Sequence, residues 1–280
     1  MIDLHVHTKI SDSSVSTEEV IRLAKKKGLK HLAITDHDTT KGLPEAVSLG
    51  QEAGVSILPG IEISAFDYRR NKRAHILGLC IEPGHPALEL LCASLIQRRN
   101  QASRDMVRKV IAAGYEISWP TVQKYAGGTG VYKQHIMHAL LEKGYCESIY
   151  GDLYKKLFQR GSTLEPPGIA YIKLEYVDAQ AAIQAVREAG GIAVLAHPGQ
   201  LGNFDGIDAL VESGLEGIEV YHPIHNEDDR QMSLQYAQKH NLIITGGSDF
   251  HGIYGEKPVE LGCPELDQEC ISELLSRKNR

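Results

Sequence analysis

Ile2, Leu4 and Val6 alternate with Asp3, His5 and His7 at the start of the chain. This two-residue period is that of a half-buried strand, and it sets both histidines on one face. From there, short apolar runs and helix-period stretches take turns. Ser16-Thr17-Glu18-Glu19 starts a helix that reaches Lys27 and closes at Gly28. Residues 30–35 form a strand that runs out into Asp36-His37, and residues 42–53 a helix that stops at Gly54. Residues 55–63 form the next strand, with Glu62 at its end. Three such units in sequence, each strand delivering polar residues at its C-terminal end, are the grammar of an α/β barrel with its site on that rim.

Residues 67–73 read as a turn and 74–81 as a strand returning antiparallel, which puts His75 beside Glu62. Pro83-Gly84-His85-Pro86 breaks the barrel pattern. Leu88, Leu91, Leu95, Ala102, Met106 and Val110 then recur at helical spacing. Arg99 falls inside that apolar stripe. There it either meets an anionic partner or packs its stem and releases its head to solvent. Gly127-Gly128-Thr129-Gly130 is a loop and residues 135–144 a short helix, with Lys133 near its start as a candidate phosphate seat. Pro166-Pro167-Gly168 closes the stretch. Residues 86–168 are therefore expected to be a helical cap inserted into a barrel built from 1–85 and 169–280. The barrel pattern resumes with a helix at 178–189 and strands at 192–196, 217–221 and 242–245, separated by helices at 205–213 and 227–239. These strands deliver His197, His222 and Ser248-Asp249-Phe250-His251 at their ends. A last helix is expected at 267–277, and the strand count is about seven.

Composition narrows the reading. The 280 residues are 42% hydrophobic and 24% charged, those of a globular protein with a sizeable core. No apolar run is long enough for a membrane span, and no leader is visible. Five scattered cysteines without a Cys-x-x-Cys pair point to packing residues in a reducing cytoplasm. The net charge of −6 conceals a cap at +4 and a remainder at −10. That balance lacks the basic footprint for long nucleic acid, though a basic cap suits a short anionic substrate. The other histidines, His31, His85, His138 and His240, read as structural or exposed. His225 and Tyr221 lie near the rim beside His222.

The set His5-x-His7, Asp12, Thr35-Asp36-His37, Gly60-Ile61-Glu62, His75, His197-Pro198 and Ser248-Asp249-Phe250-His251 resembles the motifs of the PHP family, the polymerase and histidinol phosphatase phosphoesterases, in order and along essentially the whole chain. His75-Ile76-Leu77-Gly78 and Arg98-Arg99-Asn100 are similar to stand-alone members with a helical insertion. Those act as 3′,5′-nucleoside bisphosphate phosphatases or trim short RNA from the 5′ end. The resemblance implies a distorted seven-stranded β/α barrel with two or three divalent ions (Mn, Fe or Zn). One ion would be held by His5, His7, Glu62 and Asp249, a second by Glu62, His75 and His197, and a third by Asp12, His37 and His251. Asp36 would orient a ligand imidazole. Such ions clamp phosphoryl oxygens and acidify water. Glu62, Asp249, His197 and Asp36 would carry the chemistry, while Arg99, Lys133 and His222 would contact a small phosphorylated substrate, a nucleotide or short oligonucleotide. The chain departs from the family where relatives carry Arg-Pro-His, since Lys133-Gln134-His135 keeps the charge but loses the bidentate fork. Gln200 also stands where relatives often have a basic residue. The alternatives are histidinol-phosphate hydrolysis, carbon–nitrogen hydrolysis on a similar metal barrel, and a metal-holding barrel without turnover.

Overall fold

The computed structural model describes residues 1–278. Its strands are β1 (Ile2–Val6), β2 (His31–Ile34), β3 (Ser56–Ile63), β4 (Ala65–Asp67), β5 (Lys72–Arg73), β6 (Ile76–Leu79), β7 (Val177–Asp178), β8 (Ile192–Leu195), β9 (Gly217–Tyr221) and β10 (Ile243–Gly246). Seven of them form one sheet in the order β1-β2-β3-β6-β8-β9-β10. All neighbours in it are parallel except at β6, which runs antiparallel to both β3 and β8. The sheet curls into a nearly closed barrel. At the rim, Val6 bridges to Phe250, the His7 amide donates to the Phe250 carbonyl at 3.1 Å, and the Asp249 amide donates to the His5 carbonyl at 2.9 Å. At the opposite end the Cys263 amide donates to the Ile2 carbonyl at 2.7 Å. The remaining three strands make a small outer sheet, β5-β4-β7. The turn expected at 67–73 is therefore the tip of a β4–β5 hairpin rather than a direct link into β6.

The barrel interior holds Ile2, Leu4, Ala33, Leu58, Leu77, Leu79, Ile192, Val194 and Ile243. Ile271 and Leu274 of the C-terminal helix, Gln268–Lys278, join this cluster and plug the end away from the rim. The outer layer of helices covers a second cluster, which includes Val6, Leu32, Ile34 and Ile63.

The strict alternation expected of the first strand is interrupted. Ile2 and Asp3 pair with His31 and Leu32, but Val6 pairs with Ile34, so β1 carries one extra residue between Asp3 and Val6. This β-bulge reverses the phase of the side chains. Ile2 and Leu4 face the interior, Val6 faces the outer helices, and the two histidines fall on the interior side at the mouth. Without it, His5 and His7 would lie opposite the barrel filling. Gly247 lets β10 close on β1 here, since a Cβ at that position would lie 2.4 Å from the His5 Cβ.

Helix Pro86–Ala112 belongs to two layers. Its first half, through Leu88, Cys92 and Leu95, joins the outer barrel cluster. Its second half, through Ala102, Met106, Val107 and Val110, joins a third cluster with Ile136, Leu140, Leu157, Phe158 and Tyr254. Helices Trp119–Gln123, Lys133–Glu142 and Asp152–Phe158 complete this cap. The cap sits directly on the loop after β1. Thr129 donates its amide to the Ile10 carbonyl at 3.1 Å, and Gly127 is so close that a Cβ would overlap the Lys9 carbonyl. No helix among the described residues is long and apolar enough to cross a membrane.

Truncating the plug exposes its contribution. Leu274→Ala removes a fully buried side chain and is expected to lower the unfolding free energy by about 2–5 kcal/mol. Urea unfolding of the variant beside the wild type measures this.

Candidate active site

The C-terminal ends of the parallel strands and the start of the antiparallel β6 bring all nine expected ligand residues to the barrel mouth. At their centre is Glu62, near the end of β3 and 1% exposed. Its Oε1 lies 2.7 Å from His75 Nδ1 and 2.9 Å from His197 Nε2. Its Oε2 lies 3.3 Å from His5 Nε2, 3.1 Å from His7 Nε2 and 3.3 Å from His37 Nε2. One carboxylate thus faces five imidazoles. The antiparallel course of β6 places His75 next to Glu62, as the hairpin reading required. Asp12 lies 3.3 Å from His251 Nε2 and 3.9 Å from His37 Nε2. His251 Nδ1 hydrogen-bonds the Asp249 carbonyl at 2.8 Å, which turns Nε2 inward.

Two of these residues are held in uncommon backbone conformations. His197 has φ 29° and Asp249 φ 50°, both in the left-handed region. Non-glycine residues held there at the ends of β8 and β10 mark a site whose geometry the surroundings impose.

The donor set fits divalent metal ions. His5 Nε2, His7 Nε2, Glu62 Oε2 and Asp249 Oδ1 are separated by 3.2, 3.3, 3.4, 3.1 and 3.2 Å over the five pairs of opposite or neutral character. Separations of this length are those between ligand atoms about 2.0 Å from a shared tetrahedral ion, the length of a Zn–N bond. Asp249 Oδ1, His7 Nδ1 and His197 Nδ1 are buried without a hydrogen-bond partner in the protein. Orphaned buried donors and acceptors are costly unless something satisfies them. The ligand atoms also group as His7, Asp12, His37 and His251, and as His37, Glu62 and His75. His7 and His37 are thus each shared between neighbouring sets, which the family pattern alone did not give.

Burial works against every charge here, yet mutual attraction outweighs it for most groups. Glu62, Asp12 and Asp249 are held well below the usual carboxylate range by the surrounding imidazoles. Burial disfavours charge on His7 too, but its contacts with Asp249 and Glu62 push it up to about 10. His75 goes the other way. Burial, aided by its histidine neighbours, lowers it to about 4 despite Glu62.

A cavity of about 440 Å³ opens between the cluster and the cap, and Arg99, Lys133 and His222 all line it. Arg99 finds the anionic partner its position demanded. Its Nη2 donates to Asp38 Oδ2 at 2.6 Å and to Ser64 Oγ at 2.9 Å, and its guanidinium lies 4.6 Å from the Tyr132 ring centroid. Lys133 lies over the Phe158 and Tyr171 rings. No carboxylate forms an ion pair with it among the described residues. His222 hydrogen-bonds Asp249 Oδ2 at 3.4 Å through Nε2, so its polar contact is with a candidate ligand.

The model of the PHP domain matches residues 3–188 of the chain. The chain belongs to the PHP family. This PHP protein is 44% identical over 257 residues, 91% of its own length and 96% of the relative's, to a phosphoribosyl 1,2-cyclic phosphate 1,2-diphosphodiesterase of Eggerthella lenta. It is 31% identical over 259 residues, 89% of its length and 87% of the relative's, to a 3′,5′-nucleoside bisphosphate phosphatase of Chromobacterium violaceum. A solved structure from Bifidobacterium adolescentis, described as a metal-dependent phosphoesterase, superposes with a TM-score of 0.88 at 31% identity, covering 99% of this chain and 96% of the other. The PHP protein is a metal-dependent phosphoesterase.

Some residues of this PHP site were not anticipated. Asp36, expected to orient an imidazole, instead accepts from the Thr8 amide and hydroxyl at 2.9 and 2.7 Å, and from the Ser11 hydroxyl at 2.6 Å. It braces the loop that delivers Asp12. The carboxylate that does reach an imidazole is Glu219 on β9, 3.0 Å from His5 Nδ1. Its signal was a lone carboxylate between Ile218 and Val220 in a strand otherwise fit to be buried on both faces. Asp38, which anchors Arg99, also escaped notice, overshadowed by His37 beside it.

Because Glu62 touches five imidazoles, Glu62→Gln is expected to lose at least one bound metal ion per chain. Elemental analysis of protein purified in the presence of Mn or Zn checks this.

Proposed function

We propose that this phosphoesterase hydrolyses a small ribose phosphate that carries a second anionic group, with phosphoribosyl 1,2-cyclic phosphate as the first candidate. The observation that carries this reading is the unpaired Lys133, which faces the same cavity as the ligand cluster and stands near Arg73 and Arg99. One phosphate would meet the metal centre, and the other would meet this cationic end. The relative acting on phosphoribosyl 1,2-cyclic phosphate shares 44% identity, against 31% for the bisphosphate phosphatase. A nucleotide, or the 5′ end of a short oligonucleotide, is the second reading. The tyrosines lining the cavity, among them Tyr132, Tyr150 and Tyr171, favour it because aromatic rings stack on bases.

His5, His7, Glu62 and Asp249 would hold one divalent ion, Glu62, His75 and His197 a second, and Asp12, His37 and His251 a third, with Mn, Fe and Zn all compatible with imidazole and carboxylate. When bound, such ions neutralise phosphoryl charge and lower the pKa of water from 15.7 to about 7. Asp249 is held ionised by its imidazole contacts, the charge state a ligand to a divalent ion needs. Arg99 keeps its Nε without a partner in the protein, which leaves that N–H for a phosphoryl oxygen. Asp38 and Ser64 fix the guanidinium so that this donor is preorganised. The cap lines the other side of the cavity, and the burial of these groups strengthens their charge interactions.

Phosphate release or ring opening, followed across phosphoribosyl 1,2-cyclic phosphate, adenosine 3′,5′-bisphosphate, 5′-AMP, 5′-phosphorylated short RNA and histidinol phosphate, tests the reading. The two-anion ribose phosphates should turn over best, and turnover of histidinol phosphate alone would refute it. Lys133→Ala should raise KM about 10- to 100-fold, the worth of a charged hydrogen bond.

Burial and the nearby Arg73 and Arg99 charges lower Lys133 to about 8. A lysine so shifted is charged below pH 8 and loses its charge above it. The kcat/KM of the free enzyme should therefore fall as pH rises through about 8. Lys133→Arg, which stays charged, should move that fall to higher pH in a pH–rate profile.

A further inference from the structure

Glu219, like Asp36 and Asp38, is a buried carboxylate near the barrel mouth that the three ligand sets above leave out. It is fully buried on β9, between the core residues Ile218 and Val220. Both of its oxygens are committed to donors. Oε1 lies 3.0 Å from His5 Nδ1, and Oε2 accepts the backbone N–H of His197 at 2.8 Å. The two partners come from different strands. His5 lies on β1 and His197 follows β8, so a side chain on β9 reaches both.

Each contact settles a different degree of freedom. A neutral imidazole carries its proton on one nitrogen only. With Glu219 accepting at Nδ1, the proton of His5 stays there, and Nε2 presents its lone pair toward His7, Glu62 and Asp249. The bond to the His197 amide acts on the backbone. His197 sits at φ 29°, a conformation that surrounding contacts must hold. The same turn presents His197 Nε2 to Glu62 Oε1 at 2.9 Å.

We propose that Glu219 is a positioning residue that fixes the tautomer of His5 and the left-handed turn of His197, so that both imidazoles face the metal centre already aligned. The proposal rests on the assignment of His5 and His197 as ligands made above. It also assigns a role to β9, the barrel strand that supplies no ligand of its own. Histidines that bind metal commonly donate their other nitrogen to a carboxylate, and loss of such a partner costs roughly 10–100-fold in affinity.

The amide is not a neutral replacement here. Both partners of Glu219 are donors, and a glutamine has one acceptor oxygen and one donor nitrogen. In Glu219→Gln the side-chain NH₂ must face either His5 Nδ1 or the His197 N–H. The first choice moves the His5 proton to Nε2 and removes its lone pair from the metal centre. The second sets two donors against each other and releases the turn.

Three measurements on the full chain test this. Titration of metal-free Glu219→Gln with Zn should show affinity lowered by about 10- to 100-fold. Its activity should recover at saturating metal, since the ligands themselves remain. An unchanged affinity overturns the proposal, and so does lost activity that excess metal does not restore while the fold is kept by circular dichroism. Should the variant not fold, nitrogen-15 spectra of the Zn-loaded wild type, with the His5 signals assigned, carry the decision. A proton on Nδ1 supports the proposal, and a proton-free Nδ1 overturns it. Glu62→Gln keeps the two ideas apart. If that variant retains all its metal, the ligand assignment itself is wrong. If it loses metal while Glu219→Gln does not, only the role of Glu219 falls.

Discussion

The structure depends on keeping one buried negative charge, that of Glu62, in contact with five imidazoles. A carboxylate removed from water is tolerated only where charge and hydrogen bonds replace its hydration. The five neighbours of Glu62 reach it from four parts of the chain: His5 and His7 from β1 and its end, His37 from beyond β2, His75 from the start of β6 and His197 from the end of β8. The barrel solves this geometric problem because strand ends converge on one mouth. The devices that depart from regular structure all serve that convergence. They are the bulge in β1, the antiparallel β6, and the left-handed residues His197 and Asp249. The regular parts below the mouth, packed with branched aliphatic side chains, supply the stability that these departures draw on.

The cap is joined to this centre by polar contacts rather than merely laid over it. Arg99 sits on the long helix that starts in the outer barrel layer and ends in the cap. It is anchored by Asp38 and Ser64, and Ser64 Oγ in turn lies 3.3 Å from His37 Nδ1. Tyr132, whose ring neighbours both Arg99 and His37, extends the same chain of contacts. A side chain placed to receive substrate and a side chain placed to receive metal therefore share one hydrogen-bond network. The cation at the far end, Lys133, stands outside that network and has only aromatic rings beneath it.

Much of this was legible in the sequence, for definite reasons. The periodicities of the strands and helices, and their caps, located the elements to within a few residues. The recurrence of His, Asp and Glu at strand ends located the mouth, because such residues have no other use at the end of an apolar run. Three things stayed hidden. The bulge in β1 leaves no trace in composition, and strict alternation kept the two histidines together but set them opposite Ile2 and Leu4, whose interior side they share. The β4–β5 hairpin with β7 rests on strands of two or three residues, too short for a period. Asp36, Asp38 and Glu219 are carboxylates whose roles depend on which nitrogen or guanidinium lies across from them, and only the packed chain decides that.

The helix that plugs the barrel has a consequence for the order in which the molecule is made. Asp249 and His251, the Cys263 contact with β1 and the plug itself all come from the final part of the sequence. A chain synthesised as far as β9 has His5 and His7 but neither Asp249 and His251 at the mouth nor the floor beneath them. The seam, the base of the barrel and two candidate ligands thus come from one stretch of sequence beyond β10. Until that stretch is made the exposed histidines form only part of a chelating site. A complete ligand set thus belongs only to a chain in which the segment after β10 has closed on β1.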